Sequence, residues 1–137
     1  MSDAQSPHEI LHPKNWKAAK GYANGVAASG RMVFTGGIVG WNAEQEWESD
    51  DFATQVAQCL ASIKAVLAEA GARPEHLTRL TWYVTDKQEY LASLRDIGAA
   101  YRLHFGRHFP AMALVQVVAL VEDRAKVEIE ATAVIPQ

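Results

Sequence analysis

The sequence predicts one α+β domain in which a mixed β-sheet carries two helices packed on one face. Three observations predict it. The chain has 137 residues, the length of a single domain. Two segments repeat their apolar residues at helical spacing, while others alternate apolar and polar residues as half-buried strands do. In chain order these read strand, strand, helix, strand, helix, strand, strand, which is neither the regular alternation of a parallel fold nor an all-β pattern.

Residues 1–20 read as an N-terminal arm, mobile at its start, because Pro7, Pro13 and scattered Ser and His show no periodicity. Residues 21–137 then form the domain. Stretches 22–28 and 32–35 suit strands, with Ser29, Gly30 and Arg31 between them as a tight hairpin turn. Gly36 and Gly37 let the backbone bend or approach a ligand. Residues 41–51 make an acidic loop holding Trp41 and Trp47, a lid over a site or a pair buried at an interface.

Phe52, Val56, Cys59, Leu60, Ile63, Leu67 and Ala70 form one helical stripe, capped by Ser49 or Asp50 and ended by Gly71. In the strand 77–85, Leu80, Trp82 and Val84 oppose Arg79, Thr81 and Tyr83. Asp86 and Glu89 form a capping box for a second helix whose Tyr90, Leu91, Leu94, Ile97, Tyr101 and Phe105 keep helical spacing up to Gly106. Stretch 113–120 is a strand with only Gln116 polar. In 126–134, Val127, Ile129, Ala131 and Ala133 oppose Lys126, Glu128, Glu130 and Thr132. Two helices cover one sheet face, but 113–120 is apolar on both. The second face therefore needs a cover that the chain does not supply, which predicts a homo-oligomer with sheets packed together.

Composition narrows the function. Apolar residues make up 49% and charged residues 21%, enough for a true core and against a disordered or fibrous chain. Thirteen Lys and Arg against sixteen Asp and Glu give a net charge of -3, and no basic run suggests nucleic acid or an acidic membrane. Cys59 is the only cysteine, so neither an intramolecular disulfide nor a cysteine zinc cluster is expected, and a reducing compartment fits. The first residues have no apolar leader-like run, and no stretch approaches about 18 apolar residues, so the expected address is the cytoplasm. Gly36-Gly37 lacks the further glycine of a dinucleotide fingerprint. His104 and His108 stand four apart but straddle a helix end at Gly106, so no metal is expected. Cys59 belongs to the core stripe, and Met112 by itself reads as a gap-filler.

Several strings then carry a resemblance. Gly21-Tyr22 with Gly25-Val26, Val33-Phe34-Thr35-Gly36-Gly37, the Gln55 helix ending in Ala70-Gly71, and Tyr83-Val84-Thr85-Asp86 come in order. Tyr101 with Phe105, Pro110-Ala111 and Val127-Glu128-Ile129-Glu130-Ala131 complete the set, from about residue 22 to 134. Together they resemble the YjgF/RidA family of small enamine/imine deaminases. The resemblance implies a chorismate-mutase-like α+β fold, a homotrimer with clefts between subunits, and no cofactor. It also implies a carboxylate-bearing small molecule as substrate, hydrolysed to a 2-keto acid and ammonia.

By the same resemblance Glu128 is the catalytic carboxylate that positions water or the leaving group, Tyr22 lines the cleft, and Gly37 lends its backbone to it. Other positions depart from the archetype. Its carboxylate-binding arginine, directly after Pro-Ala, is Met112 here, and a thioether cannot replace a planar guanidinium fork. The serine before the cleft glycine is Gly36, the second-helix asparagine is Gly98, and the cysteine two residues after the arginine is Leu114. Arg102, His104, Arg107 and His108 cluster just before Pro110, so Arg102 or Arg107 would replace the missing cation, or else simply favour a helix C-terminus. The expectation is a deaminase with altered substrate preference, an aminomuconate-like dicarboxylate being one subtype. A Rid-fold binding or regulatory module without turnover is the alternative.

Overall fold

The computed structural model describes residues 6–137, and the expected mobility at the very start of the arm falls on residues 1–5, outside them. Period-two alternation organises the sheet around β7 (Val127–Ile135), whose Val127, Ile129, Ala131 and Ala133 are buried while Glu130 is exposed. β7 pairs antiparallel with β5 (Leu77–Val84) on one side. On the other it pairs with β3 (Arg31–Phe34) and the short β4 (Ile38–Val39). β6 (Ala111–Gln116) runs parallel to β5 at the edge, giving the order β3-β7-β5-β6. A parallel pair needs a crossover, and the helical stretch between β5 and β6 supplies it.

The long helix α1 (Phe52–Glu69) buries its expected stripe of Phe52, Val56, Cys59, Leu60, Ile63 and Leu67 against the sheet. Its cap is Asp51, one residue beyond the expected Ser49 or Asp50. The Thr54 amide donates to Asp51 Oδ2 at 3.0 Å, while Ser49 Oγ accepts from the Asp51 amide and Asp50 pairs with Arg124 at 2.9 Å. Gly71 at φ +76° ends the helix as expected. Cys59 is a core residue whose Sγ donates to the Ile38 carbonyl at 3.4 Å, and burial pushes its thiol up.

Four expectations give way. Ser29, Gly30 and Arg31 do not turn a hairpin: β2 (Gly25–Ala27) pairs with β1 (Glu9–Leu11) inside the arm, and β3 pairs with β7. All of β1 is exposed, so no apolar alternation could announce it. The stretch before β2 meets the main sheet at the bridge of Ala23 to Ala111, where the Ala23 amide donates to the Pro110 carbonyl at 3.0 Å.

The second helix is two helices, α2 (Lys87–Ala92) and α3 (Leu94–Phe105). Ser93 leaves helical geometry at φ -111°, ψ 11°; its amide closes α2 on the Tyr90 carbonyl and its own carbonyl accepts from Ile97 to open α3. Leu91 and Leu94, read as part of one apolar stripe, are half exposed in consequence. Asp86 caps α2 through the Gln88 amide at 2.9 Å, but Glu89 turns to Lys126 Nζ at 3.1 Å and closes no capping box. Finally, β6 stops at Gln116: β5 ends at Val84, whose carbonyl takes the Val117 amide at 2.8 Å as a last rung, and Val118 is fully exposed. Trp41 and Trp47 pack on each other at 5.7 Å with Arg124 over Trp47, which ties the acidic loop down.

The core lies between the helices and one sheet face, as expected. On the opposite face Met32, Phe34 and Val115 are exposed among polar neighbours. Within this chain that face has no cover among the described residues.

Candidate functional site

Register divides the candidate residues between the two faces. Paired residues of neighbouring strands point to the same side. Met112 pairs with Leu80, which is buried under the helices, whereas Glu128 pairs with Tyr83, one step out of phase. Glu128 and Met112 therefore leave the sheet on opposite faces.

The Glu128 corner is built by close backbone approach. Thr35 clamps the chain after β3 onto β7: its amide donates to the Ala131 carbonyl at 2.9 Å, and its Oγ1 accepts the Ala131 amide at 3.0 Å while donating to the Gly36 carbonyl at 2.8 Å. This brings Gly37 so near Glu128 that a Cβ there would overlap the carboxylate, whereas one on Gly36 would meet open space. Gly37 is thus required by the carboxylate beside it. Gly36 is not required in that way.

The two carboxylates of β7 differ in occupation. Tyr83 Oη donates to Glu130 Oε1 at 2.9 Å, and that bond, with burial and the two carboxylate charges, raises the phenol above its usual range. Glu128 makes no hydrogen bond or ion pair with another described residue, so its oxygens are available for water or ligand. Thr35, Tyr83 and Glu130 were not expected as site neighbours. The Thr35-Gly36-Gly37 string was the one signal that could have pointed to the first of them.

Across the sheet, Tyr22, Gly98, Met112 and Leu114 come together around a cavity of about 420 Å³ between β6 and α3, with Trp82 and Ile97 in its walls. The cavity surface is apolar and aromatic apart from Lys20 at its edge. Trp82 is buried, and its indole N–H finds no acceptor among the described residues. Beyond Gly98, Tyr101 and Phe109 the cavity adjoins a recess lined by Arg102 and Arg107. Tyr101 anchors this end: its hydroxyl donates to the His108 carbonyl and its ring stacks on Phe109 at 5.2 Å.

The four-residue basic cluster does not stay together. His104 turns toward Gly40 and Gln58, where burial and then the Lys64 charge lower its pKa. His108 and Arg107 reach a separate cavity beside the arm, lined also by His8, His12 and Tyr22. Among the described residues, no three potential metal ligands converge. No helix there is long and apolar enough to cross a membrane.

A mixed sheet under helices, with one carboxylate against a glycine and unpaired among the described residues, and an aromatic cavity at the edge strand, defines a small α+β protein with a candidate site. The chain belongs to the Endoribonuclease L-PSP (YjgF/RidA) family, whose match spans residues 13–135. It is 34% identical over 130 residues to the 2-iminobutanoate/2-iminopropanoate deaminase of Escherichia coli K12, a match covering 92% of this chain and 97% of that protein. A RutC family protein of Pasteurella multocida is 29% identical over 126 residues, across 92% of this chain and 97% of its own. Among solved structures, the Rid family protein YyfB of Yersinia pestis superposes with a TM-score of 0.83 at 32% identity, covering 93% of this chain and 98% of its own. Escherichia coli TdcF with bound serine gives 0.65 at 30% identity, over 93% and 98%.

Proposed function

We propose that this chain is a hydrolytic deaminase of reactive enamines or imines, releasing a 2-keto acid and ammonia without a cofactor. The observation that carries the proposal is Glu128, a carboxylate set against the backbone of Gly37 and left unpaired beside the occupied Glu130. The activity named for the Escherichia coli relative supports the reaction class. In the proposed reaction the imine carbon, held against the Gly37 backbone, receives water. Glu128 accepts one water proton as the C–O bond forms and returns it to the nitrogen, giving a carbinolamine. The nitrogen then takes the hydroxyl proton, the C–N bond breaks, ammonia leaves and the C=O bond closes. An enamine enters through its imine tautomer. Each proton has a stated donor and acceptor.

The opposed faces of Glu128 and Met112 support a crevice shared between copies, in which one subunit brings Gly37 and Glu128 and its neighbour brings Tyr22 and Met112. A homotrimer of chorismate-mutase-like subunits closes such clefts, and exposed Met32, Phe34 and Val115 are the surface it would cover. Gly36 widens the entrance, where a side chain would meet nothing. With Met112 in place of an arginine, the positive hook comes from Arg102 on α3 or from Arg107 just past its end, and the substrate differs from the small imines of the archetype. The proposed setting is the cytoplasm, with neither nucleic acid nor membrane as partner.

Mixing the purified protein with enzymatically generated 2-iminobutanoate and related imines, and timing keto-acid release, tests the reading. Glu128→Gln is expected to lower the rate about 10²- to 10⁴-fold, the usual contribution of a general acid–base group, with the folded structure intact. If no imine is turned over while a keto acid still binds the crevice, the molecule is a binding module instead.

A further inference from the structure

The cavity between β6 and α3 has a chemistry of its own. Trp82, Tyr90, Leu94, Ile97, Met112 and Leu114 give it apolar and aromatic walls, and its volume of about 420 Å³ exceeds what a methyl or ethyl side chain would fill. A cation stands beside its mouth. The Arg102 guanidinium folds back over Gly98, one helical turn earlier on α3, with Nη1 only 3.3 Å from where a Cβ on residue 98 would sit. Gly98 belongs to both the cavity and the recess holding Arg102, so the guanidinium lies at their junction, where a side chain on residue 98 would crowd it. Arg102 makes no ion pair or hydrogen bond through its side chain with another described residue. An unneutralised fork at the mouth of an apolar cavity suits one kind of guest: a single carboxylate attached to a bulky apolar group.

We infer that Arg102, seated over Gly98, binds the substrate carboxylate, and that the cavity floored by Met112 and Leu114 takes a branched or aromatic side chain. On the deaminase reading, this directs the chain to 2-imino acids with large apolar side chains. Arg107 in the adjoining recess and Lys20 at the cavity edge are the competing cations; Lys20 sits on irregular backbone and offers a point charge with no planar fork. A second carboxylate would be stranded among apolar walls, which disfavours dicarboxylic substrates.

Binding of stable keto acids separates the inference from catalysis. Calorimetric titration with 4-methyl-2-oxopentanoate and phenylpyruvate is expected to give affinities about tenfold or more above that of 2-oxobutanoate, from the added apolar burial. Arg102→Ala should weaken both about tenfold or more, as loss of a charge-assisted pair does, and Arg102→Lys should recover part of that. Lys20→Ala should change them less than about twofold. Affinity unmoved by Arg102→Ala, a loss transferred to Lys20→Ala, or tighter binding of 2-oxoglutarate would each overturn the inference. Oxidase-generated imines of leucine and phenylalanine supply the second arm. Arg102-dependent binding without imine hydrolysis removes the deaminase reading and leaves the binding assignment standing. Hydrolysis indifferent to Arg102 does the reverse.

Discussion

On the covered face of the sheet, alternate side chains of β5 and β7 are locked beneath α1: Leu80, Val84, Val127 and Ile129 have no exposure, and neither have Leu60 and Ile63 of the helix. On the open face the same strands present Thr81, Tyr83, Glu128 and Glu130, which answer to few neighbours inside the chain. Tyr83 holds Glu130 there, and Glu128 lies tight against Gly37. Stability is concentrated on the first face and the proposed chemistry on the second, so substitutions should separate the two properties cleanly. The proposed recognition lies at the edge, in the cavity of Met112 and Leu114 beside β6. Such a layout lets substrate preference change without disturbing either the core or the carboxylate.

The largest effect expected within this contrast comes from the covered face. Leu60→Ala removes a fully buried side chain from close-packed surroundings and should cost about 2 to 5 kcal/mol in urea unfolding. Turnover per folded molecule should stay near the wild-type value. Loss of activity out of proportion to the folded fraction would break the separation.

Gly37→Ala tests the open face. The new methyl group would meet the far end of a flexible side chain, so Glu128 can swing aside and the fold should lose little stability. The displaced carboxylate, however, no longer addresses the reacting carbon, and a shift on that scale costs about 10- to 100-fold in rate. Gly36→Ala, into open space, is the control and should leave both quantities nearly unchanged. Equal losses for the two alanines would show that the glycines serve the backbone and not the carboxylate.

Much of this division could be read from residue order. The stripe from Phe52 to Leu67 and the alternation of β5 and β7 are direct records of burial, so α1, both strands and the orientation of Glu128 were legible. Partnership was less so. β1 and β2 pair through exposed or half-buried backbone that leaves no periodic mark, and β3 pairs across the chain with β7 because hydrogen bonding is blind to sequence distance. Ser93 hid the helix break, since Leu91 and Leu94 keep helical spacing across it. At the candidate site, Gly37 and Glu128 were both named from the sequence, but not their contact, and not that Tyr83 would occupy Glu130 and leave Glu128 without a partner among the described residues. Those are facts of rotamer and register. The parting of His104 from Arg102 has the same origin: neighbours near a helix end project in different directions around the axis, while Arg107, beyond the helix, shares the recess of Arg102.

The smallest effect probes the covered face from its margin. Asp51 caps α1 by accepting from the Thr54 hydroxyl and amide, and these bonds hold its carboxyl below the ordinary 3.8. A carboxyl with its pKa depressed by folding contributes stability above its unfolded pKa and loses it as pH falls through the folded value. Asp51→Ala should therefore cost about 1 kcal/mol near neutrality, typical for a lost N-cap. The gap between variant and wild type should begin to narrow as the pH drops below about 3.8, where the unfolded carboxyl takes up its proton, and should close as the pH falls through the lower folded value. Because the cap touches neither the Gly37 corner nor the apolar cavity, keto-acid release by the folded variant should match the wild type. A gap that held constant across this pH range would mean that the helix start is stabilised by local packing of Phe52 and not by the carboxylate.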